Sequence, residues 1–279
     1  MIKISKADEL FVKNCRDILE NGVWDTDYEV RPHWEDGTPA HTIKKFGVVN
    51  RYDLSEEFPM ITIRRTAFKS AIDELLWIWQ KKSNRVSELK SRIWDSWQDE
   101  NGTIGKAYGY QLGQKNRYRE GMFDQVDRVL YDLKNNPTSR RILTNMYNHS
   151  ELADMQLYPC AYSVTFNVSG KKLNAILNQR SQDMLTANGW NVCQYAILVH
   201  MMAQVSGLVP GELVHVIADA HIYDRHIPLV ETLLKNEEYD APKLVMNTKI
   251  KDFYGFTTDD FKFPDYKYSD FNTKIPVAI

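Results

Sequence analysis

The segment "CAYSVTFNVSGKKLNAILNQ", residues 160–179, predicts a sheet. Cys160, Tyr162, Val164, Phe166 and Val168 alternate with Ala161, Ser163, Thr165 and Asn167, the period of two that gives a strand two chemically different faces. Gly170 supplies a turn, and "KLNAILNQRSQD" returns as the hairpin partner. Beyond it, "NVCQYAILVHMMAQVSG" is apolar almost all round, which predicts a buried helix stopped by Gly207, and "PGELVHVIAD" follows as a further strand.

On the N-terminal side, "TSRRILTNMYN" predicts a strand, preceded by a helix through Phe123, Val126, Val129, Leu130 and Leu133 that ends near "NNP". "TAFKSAIDELLWIWQKK" is the strongest helix, with Ile72, Leu75, Leu76 and Trp79 on one face and Thr66 as N-cap, and "VSELKSRIWDSW" predicts a second, aromatic one. Leu10, Phe11, Cys15, Ile18 and Leu19 form an opening amphipathic helix that Asn21-Gly22 stops. "DTDYEVRPHWEDGTPAH" reads as a loop and "TIKKFGVVNRYDL" as a strand. Helices and strands interleave without a linker, repeat or low-complexity tract, so the expectation is one α+β domain over residues 1–279.

At 43% hydrophobic and 26% charged residues, the chain has the composition of a packed protein, not a disordered one. A net charge of -2 gives no global attraction for nucleic acid or an anionic membrane, so an anionic ligand should be small. Cys15, Cys160 and Cys193 show no paired spacing, which argues against a disulfide framework or a zinc site and for a reducing compartment. The start, "MIKISKADELFVKNCRDILENG", lacks the apolar core of a signal peptide, and no apolar run reaches the roughly 18 residues of a membrane span; a cytoplasmic location is expected. The glycine-dense "DENGTIGKAYGYQLG" fails as a phosphate loop, because Glu100 stands where the first glycine belongs and Ala107 where Ser or Thr belongs.

Cys160 admits two readings, a small buried hydrophobe or a nucleophile whose thiolate nearby arginines stabilise. A hydrolase would want a histidine base beside it, and sequence distance does not place His149, His200, His215 or His221 there. Arg140, Arg141 and the strand residue Arg180 with Ser181 are either surface groups or a phosphate grip, since guanidinium forks match phosphate oxygens. Asn191 either caps the buried helix or reads a nucleobase edge. Asp219, His221 and Tyr223 close a strand in "DAHIY", and the His221–His226 spacing is not that of a zinc helix.

Taken together, "LYPCAYSVTFNV", "NQRSQDML", "GWNVCQYAILVHMMAQ", "DAHIYDRH" and "PVAI", with "FPMITIRR", "AIDELLWIWQ", "IWDSW", "ENGTIGKAYG" and "NNPTSRRI" upstream, resemble the thymidylate synthase family in order and spacing from about residue 30 to Ile279. The resemblance is greatest to the short variants of some Gram-positive bacteria. It implies a large mixed, mainly antiparallel sheet covered by helices on one side, with the other sheet faces stacking in a homodimer. It also implies reductive methylation of dUMP to dTMP with 5,10-methylenetetrahydrofolate as one-carbon and hydride donor, and no metal or NAD(P).

By the same resemblance Cys160 attacks C6 of the uracil, Glu74 organises water and moves protons, Tyr108 assists loss of the C5 proton, and Asn191 reads the O4 and N3 edge. Arg31, Arg180 and Ser181 match phosphate ligands of one subunit, and Arg140 and Arg141 those reaching across from the other. His221 and Tyr223 match the deoxyribose contacts, Asp183 the carboxylate between dUMP and the pterin, Trp94 and Trp97 the folate walls, and Ile279 the end of a closing segment. The chain departs from the family's pattern at Ala161 (commonly His), Ala187 (Gly), Gly189 (Pro), Trp190 (Phe) and Ala218 (Gly), and in the loop after Arg31. A relative that quenches the same intermediate with water to give hydroxymethyl-dUMP, and a non-catalytic nucleotide- or RNA-binding relative, are the rival functions.

Overall fold

The computed structural model describes residues 5–279; the first four residues of the segment screened for a signal peptide lie outside them. In chain order the first elements are α1 (Lys6–Asn21), β1 (Val23–Trp24), β2 (Thr42–Asp53), α2 (Phe68–Trp79), α3 (Gly109–Gly113), β3 (Asn116–Tyr118), β4 (Gly121–Phe123) and α4 (Gln125–Asn135). There follow β5 (Leu143–Asn145), β6 (Ala161–Ser169), β7 (Lys172–Gln179), β8 (Gln182–Asp183), α5 (Asn188–Val205), β9 (Val209–Tyr223), α6 (Ile227–Leu233), β10 (Val245–Met246) and β11 (Phe261–Lys262).

The main sheet runs β1-β2-β9-β7-β6-β5, with β8 also on β9. It is mixed: β2/β9, β6/β7 and β5/β6 pair antiparallel, whereas β7 and β8 lie parallel to β9. A parallel pair needs a crossover, and α5 supplies it between β7 and β9. The β6–β7 hairpin turns at Gly170, whose φ of 64° is the left-handed conformation that glycine adopts without steric cost. One face of the sheet buries Val164, Phe166, Leu173, Ala175, Leu177, Leu213 and Ile217 under α5, with Trp79 of α2 edge-on to Phe166. On the other, Asn174, Asn178 and Thr165 are only half-buried, and Val49 and Ile176 are exposed. The α+β architecture, with helices on one sheet face, is as expected. Among the described residues no helix is long and apolar enough to cross a membrane.

Five local expectations are not met. "VSELKSRIWDSW" is not a helix but two 3-10 turns, Val86–Glu88 and Asp95–Trp97. Its donors are drawn elsewhere: Val86 N–H to the Gly102 carbonyl, Lys90 N–H to the Asp73 carboxylate and the Trp94 indole to Glu74. Thr66 does not cap α2; Ala67 holds that position, and the buried Thr66 hydroxyl has no partner among the described residues. The strand in "TSRRILTNMYN" shrinks to Leu143–Asn145, and Arg180 lies just past β7. Asn191 is inside the first turn of α5, whose N-cap is Ala187. In the same turn, a Cβ on Gly189 would come 2.8 Å from Ile61 Cδ1, so the start of α5 is seated directly on that side chain.

Candidate active site

Cys160 precedes β6, and Arg180 follows β7 across the hairpin; the Arg180 N–H to Cys160 carbonyl bond of 2.9 Å ties the two together. The Arg180 guanidinium donates to the carbonyls of Pro159 and Tyr158 and lies 3.7 Å from Cys160 Sγ. A fork committed to carbonyls in this way is rigid and leaves its charge beside the sulfur. Burial pushes the Cys160 thiol up, whereas the charge of Arg180, the Tyr108 hydroxyl and Arg31 pull it down by less. Among the described residues no histidine hydrogen-bonds this thiol, so the hydrolase reading has no base.

Tyr108 Oη accepts the Cys160 N–H at 2.9 Å. Its own backbone has φ 48°, ψ -106°, strain that a tyrosine adopts only where surrounding structure imposes it. Burial, then the neighbouring Cys160, raises its hydroxyl pKa well above the usual range, so Tyr108 stays protonated. Its ring meets Trp94 edge-on, with centroids 5.3 Å apart, and Trp94 meets Trp97 at 5.9 Å.

Glu74 is no solvated helix charge: it is 6% exposed, on the inward side of α2. Trp94 Nε1 donates to Oε1 at 3.2 Å and Trp190 Nε1 to Oε2 at 2.7 Å. Burial raises its pKa from 4.5 to about 7, although the indoles and Gln194 act the other way. A carboxyl poised near neutrality can both take and give a proton.

Asn191 sits in a ring of amides. Its Oδ1 accepts from Gln179 Nε2 at 3.1 Å and Gln182 Nε2 at 3.4 Å, and its Nδ2 donates to Gln194 Oε1 at 3.1 Å. Backbone carbonyls orient the ring, because Gln179 Nε2 also donates to the Ser181 carbonyl and Gln194 Nε2 to that of Ala71. Behind it, His215 Nε2 meets Gln179 Oε1 at 2.8 Å; burial lowers its pKa to about 3, so it is neutral and donates there. One hydrogen of Asn191 Nδ2 is left uncommitted.

On the far wall, His221 Nδ1 bonds Asp219 Oδ1 at 2.8 Å and its ring meets Tyr223 at 5.2 Å. Asp183 accepts from the Leu185 and Thr186 N–H groups and from Thr186 Oγ1. Burial works against its charge, but His226, 3.7 Å away, together with His221 and Thr186 outweighs that and holds the carboxyl below its usual range. His226 Nε2 also meets the Pro276 carbonyl at 2.8 Å, and Ile279 exchanges N–H···O bonds of 2.9 and 3.0 Å with His33. The C-terminal segment is thus fastened beside His226 and Asp183. Arg31 is exposed, yet close enough for its charge to act on Cys160 and Tyr223. Ser181 is half-buried one residue beyond Arg180. Arg140 and Arg141 are exposed before β5, and among the described residues no hydrogen bond or ion pair joins their guanidinium groups to the Cys160 surroundings.

Several participants escaped sequence reasoning. Gln179 and His215 fall on the buried faces of β7 and β9, in line with Leu177 and Leu213, and a polar residue in an apolar row was the available signal. Trp190 stood out only as a departure from a motif. Trp34, buried against Tyr223 and His226 and donating from Nε1 to Asp224, anchors the divergent loop after Arg31 and had no sequence signal. Trp94 and Trp97 offer flat apolar walls and Asp183 a hydrogen-bond acceptor for ring N–H groups, a combination that fits a pterin.

The family model for thymidylate synthase matches residues 9–279. The chain is 46% identical over 272 residues to thymidylate synthase 1 of Bacillus spizizenii and to the thymidylate synthase of Bacillus phage phi3T, covering 96% of this chain and 97% of each. It is 48% identical over the same length to the thymidylate synthase of Bacillus licheniformis. Its fold superposes on the thermostable thymidylate synthase A from Bacillus subtilis with a TM-score of 0.93 at 44% identity, covering 98% of this chain and 99% of that one. The chain belongs to the thymidylate synthase family.

Proposed function

We propose that this enzyme is a methyltransferase of nucleotide biosynthesis that converts dUMP to dTMP, with 5,10-methylenetetrahydrofolate as co-substrate and dihydrofolate as second product. The observation that carries the reading is the convergence of Cys160, Arg180 and Tyr108 with the buried Glu74 carboxyl on one pocket. Arg180 favours the thiolate, which adds to C6 of the uracil ring and moves the C5–C6 electron pair towards C5 and O4. Asn191 reads the O4 and N3 edge by donating its uncommitted N–H to O4, and Glu74 delivers and removes protons there, help typically worth about 10²- to 10⁴-fold. Tyr108 assists loss of the C5 proton, after which the C6–Sγ bond breaks and returns the thiolate. The bound folate supplies the one-carbon unit and the hydride, between the walls of Trp94 and Trp97, beside Asp183 and under the segment ending at Ile279.

Arg31, Arg180 and Ser181 grip the phosphate in this reading, and His221 and Tyr223 the deoxyribose. Arg140 and Arg141 reach the site of a second copy. Their exposure supports this, as does the uncovered sheet face, where Val49 pairs with Val216 and Ile176 with Val214 in register. The enzyme is accordingly a homodimer of single catalytic domains spanning 1–279, working in the cytoplasm without a metal, NAD(P), a membrane or obligatory nucleic acid. Incubation with dUMP and methylenetetrahydrofolate should yield dTMP and dihydrofolate in equal amounts. Hydroxymethyl-dUMP with tetrahydrofolate would overturn the assignment.

A further inference from the structure

Residue 190 carries tryptophan where the family motif has phenylalanine, and the difference puts a hydrogen-bond donor against Glu74. We infer that Trp190 is a positioning residue: with Trp94, its indole N–H clamps the two oxygens of the Glu74 carboxylate in the orientation used for proton transfer.

The geometry is that of a two-point grip. Each oxygen receives one indole N–H, and the Trp190 bond is the shorter, 2.7 Å against 3.2 Å. The two donors come from unconnected parts of the chain, Trp94 from the turn after α2 and Trp190 from the first turn of α5. Trp190 directly precedes Asn191, so the grip on the acid and the reader of the base share one helical turn. At position 161, where the family commonly places a histidine, the buried Ala161 side chain has no polar atom to offer.

The groups facing Glu74 are Trp94 and Tyr108 from the segment between α2 and α3, Trp190, Gln194 and Tyr195 from α5, and Asp73 beside it on α2. None of them is cationic, and Asp73 opposes the carboxylate's charge. Stabilisation of the ionised form therefore falls to neutral N–H donors. Indole can only donate, so it favours the carboxylate over the acid without competing for the proton.

The inference rests on Glu74 acting as the proton-transfer group, and the experiment separates the two ideas. Trp190→Phe removes the donor with loss of ring size, and replacement of Trp190 by benzothienylalanine removes the N–H while preserving ring shape. The Glu74 carboxyl, followed by infrared difference spectroscopy against Glu74→Gln, should titrate about 0.5 to 1 unit higher in both variants. Turnover should fall roughly tenfold, with the KM for dUMP within about twofold. Near-normal turnover of Glu74→Gln would remove the underlying reading. If Glu74→Gln is inactive, a Glu74 titration that stays in place in both Trp190 variants overturns the clamp, whatever their turnover.

Discussion

Glu74 and Arg140, both assigned to the proposed site, stand in opposite surroundings. The carboxylate is buried, and two indoles hold its two oxygens before any ligand arrives. Asn191 is likewise set within its ring of amides. Arg31, Arg140 and Arg141 are exposed and, among the described residues, without a carboxylate partner, although Arg51, Arg92, Arg128 and Arg225 each have one. A buried charge has to be matched by donors fixed in advance, because water is not there to solvate it. An exposed guanidinium keeps its solvation, and an existing ion pair would have to break before it could take a phosphate. In the proposed site the ring end is preorganised, whereas at the phosphate end Arg31, Arg140 and Arg141 are uncommitted and only Arg180 is fixed, by the carbonyls of Tyr158 and Pro159.

The largest effect expected from this contrast lies at the junction of the two ends. Cys160→Ala should abolish dTMP formation while leaving dUMP binding, measured calorimetrically, within about tenfold, since both ends survive. At the open end, Arg140→Ala alone should be severely impaired, but mixing it with Cys160→Ala should restore part of the activity through hybrid dimers with one complete site. Failure in isolated heterodimers would remove the partner-donated role. At the locked end, Asn191→Asp sets a carboxylate oxygen against Gln194 Oε1, which cannot turn without losing the Ala71 carbonyl. The preference for dUMP over dCMP, read as a ratio of kcat/KM values, should fall by about 10²-fold or more.

The smallest effect is on stability. The folded protein binds a proton at Glu74 up to a pH of about 7, and the unfolded chain only up to about 4.5. The native state therefore binds more protons in that window, and stability declines as pH rises through it, by at most about 3 kcal/mol. Glu74→Gln should flatten the slope of Tm against pH between those values. An unchanged slope would show that Glu74 titrates normally.

The same division governs what the sequence made legible. Strands β6 and β7 and helix α5 follow from periodicity because their faces are uniform along the chain. Cys160, Arg180 and Asn191 are recognisable as a pattern of motifs. The state of Glu74 is not, since it is set by an indole 116 residues away that no local window contains. "VSELKSRIWDSW" fails for the same reason: its aromatic spacing mimics a helix, but its N–H groups answer to Asp73, Glu74 and Gly102. Distant partners override local propensity where a site is being assembled.

The seating of Gly189 on Ile61 carries one more consequence. A side chain at position 189 would displace Ile61 or tilt the turn bearing Trp190 and Asn191. Positions 61 and 189 should therefore show epistasis: installing the proline usual in relatives would be costly alone and milder beside a trimmed residue 61, so exchanging segments between these enzymes requires moving both positions together.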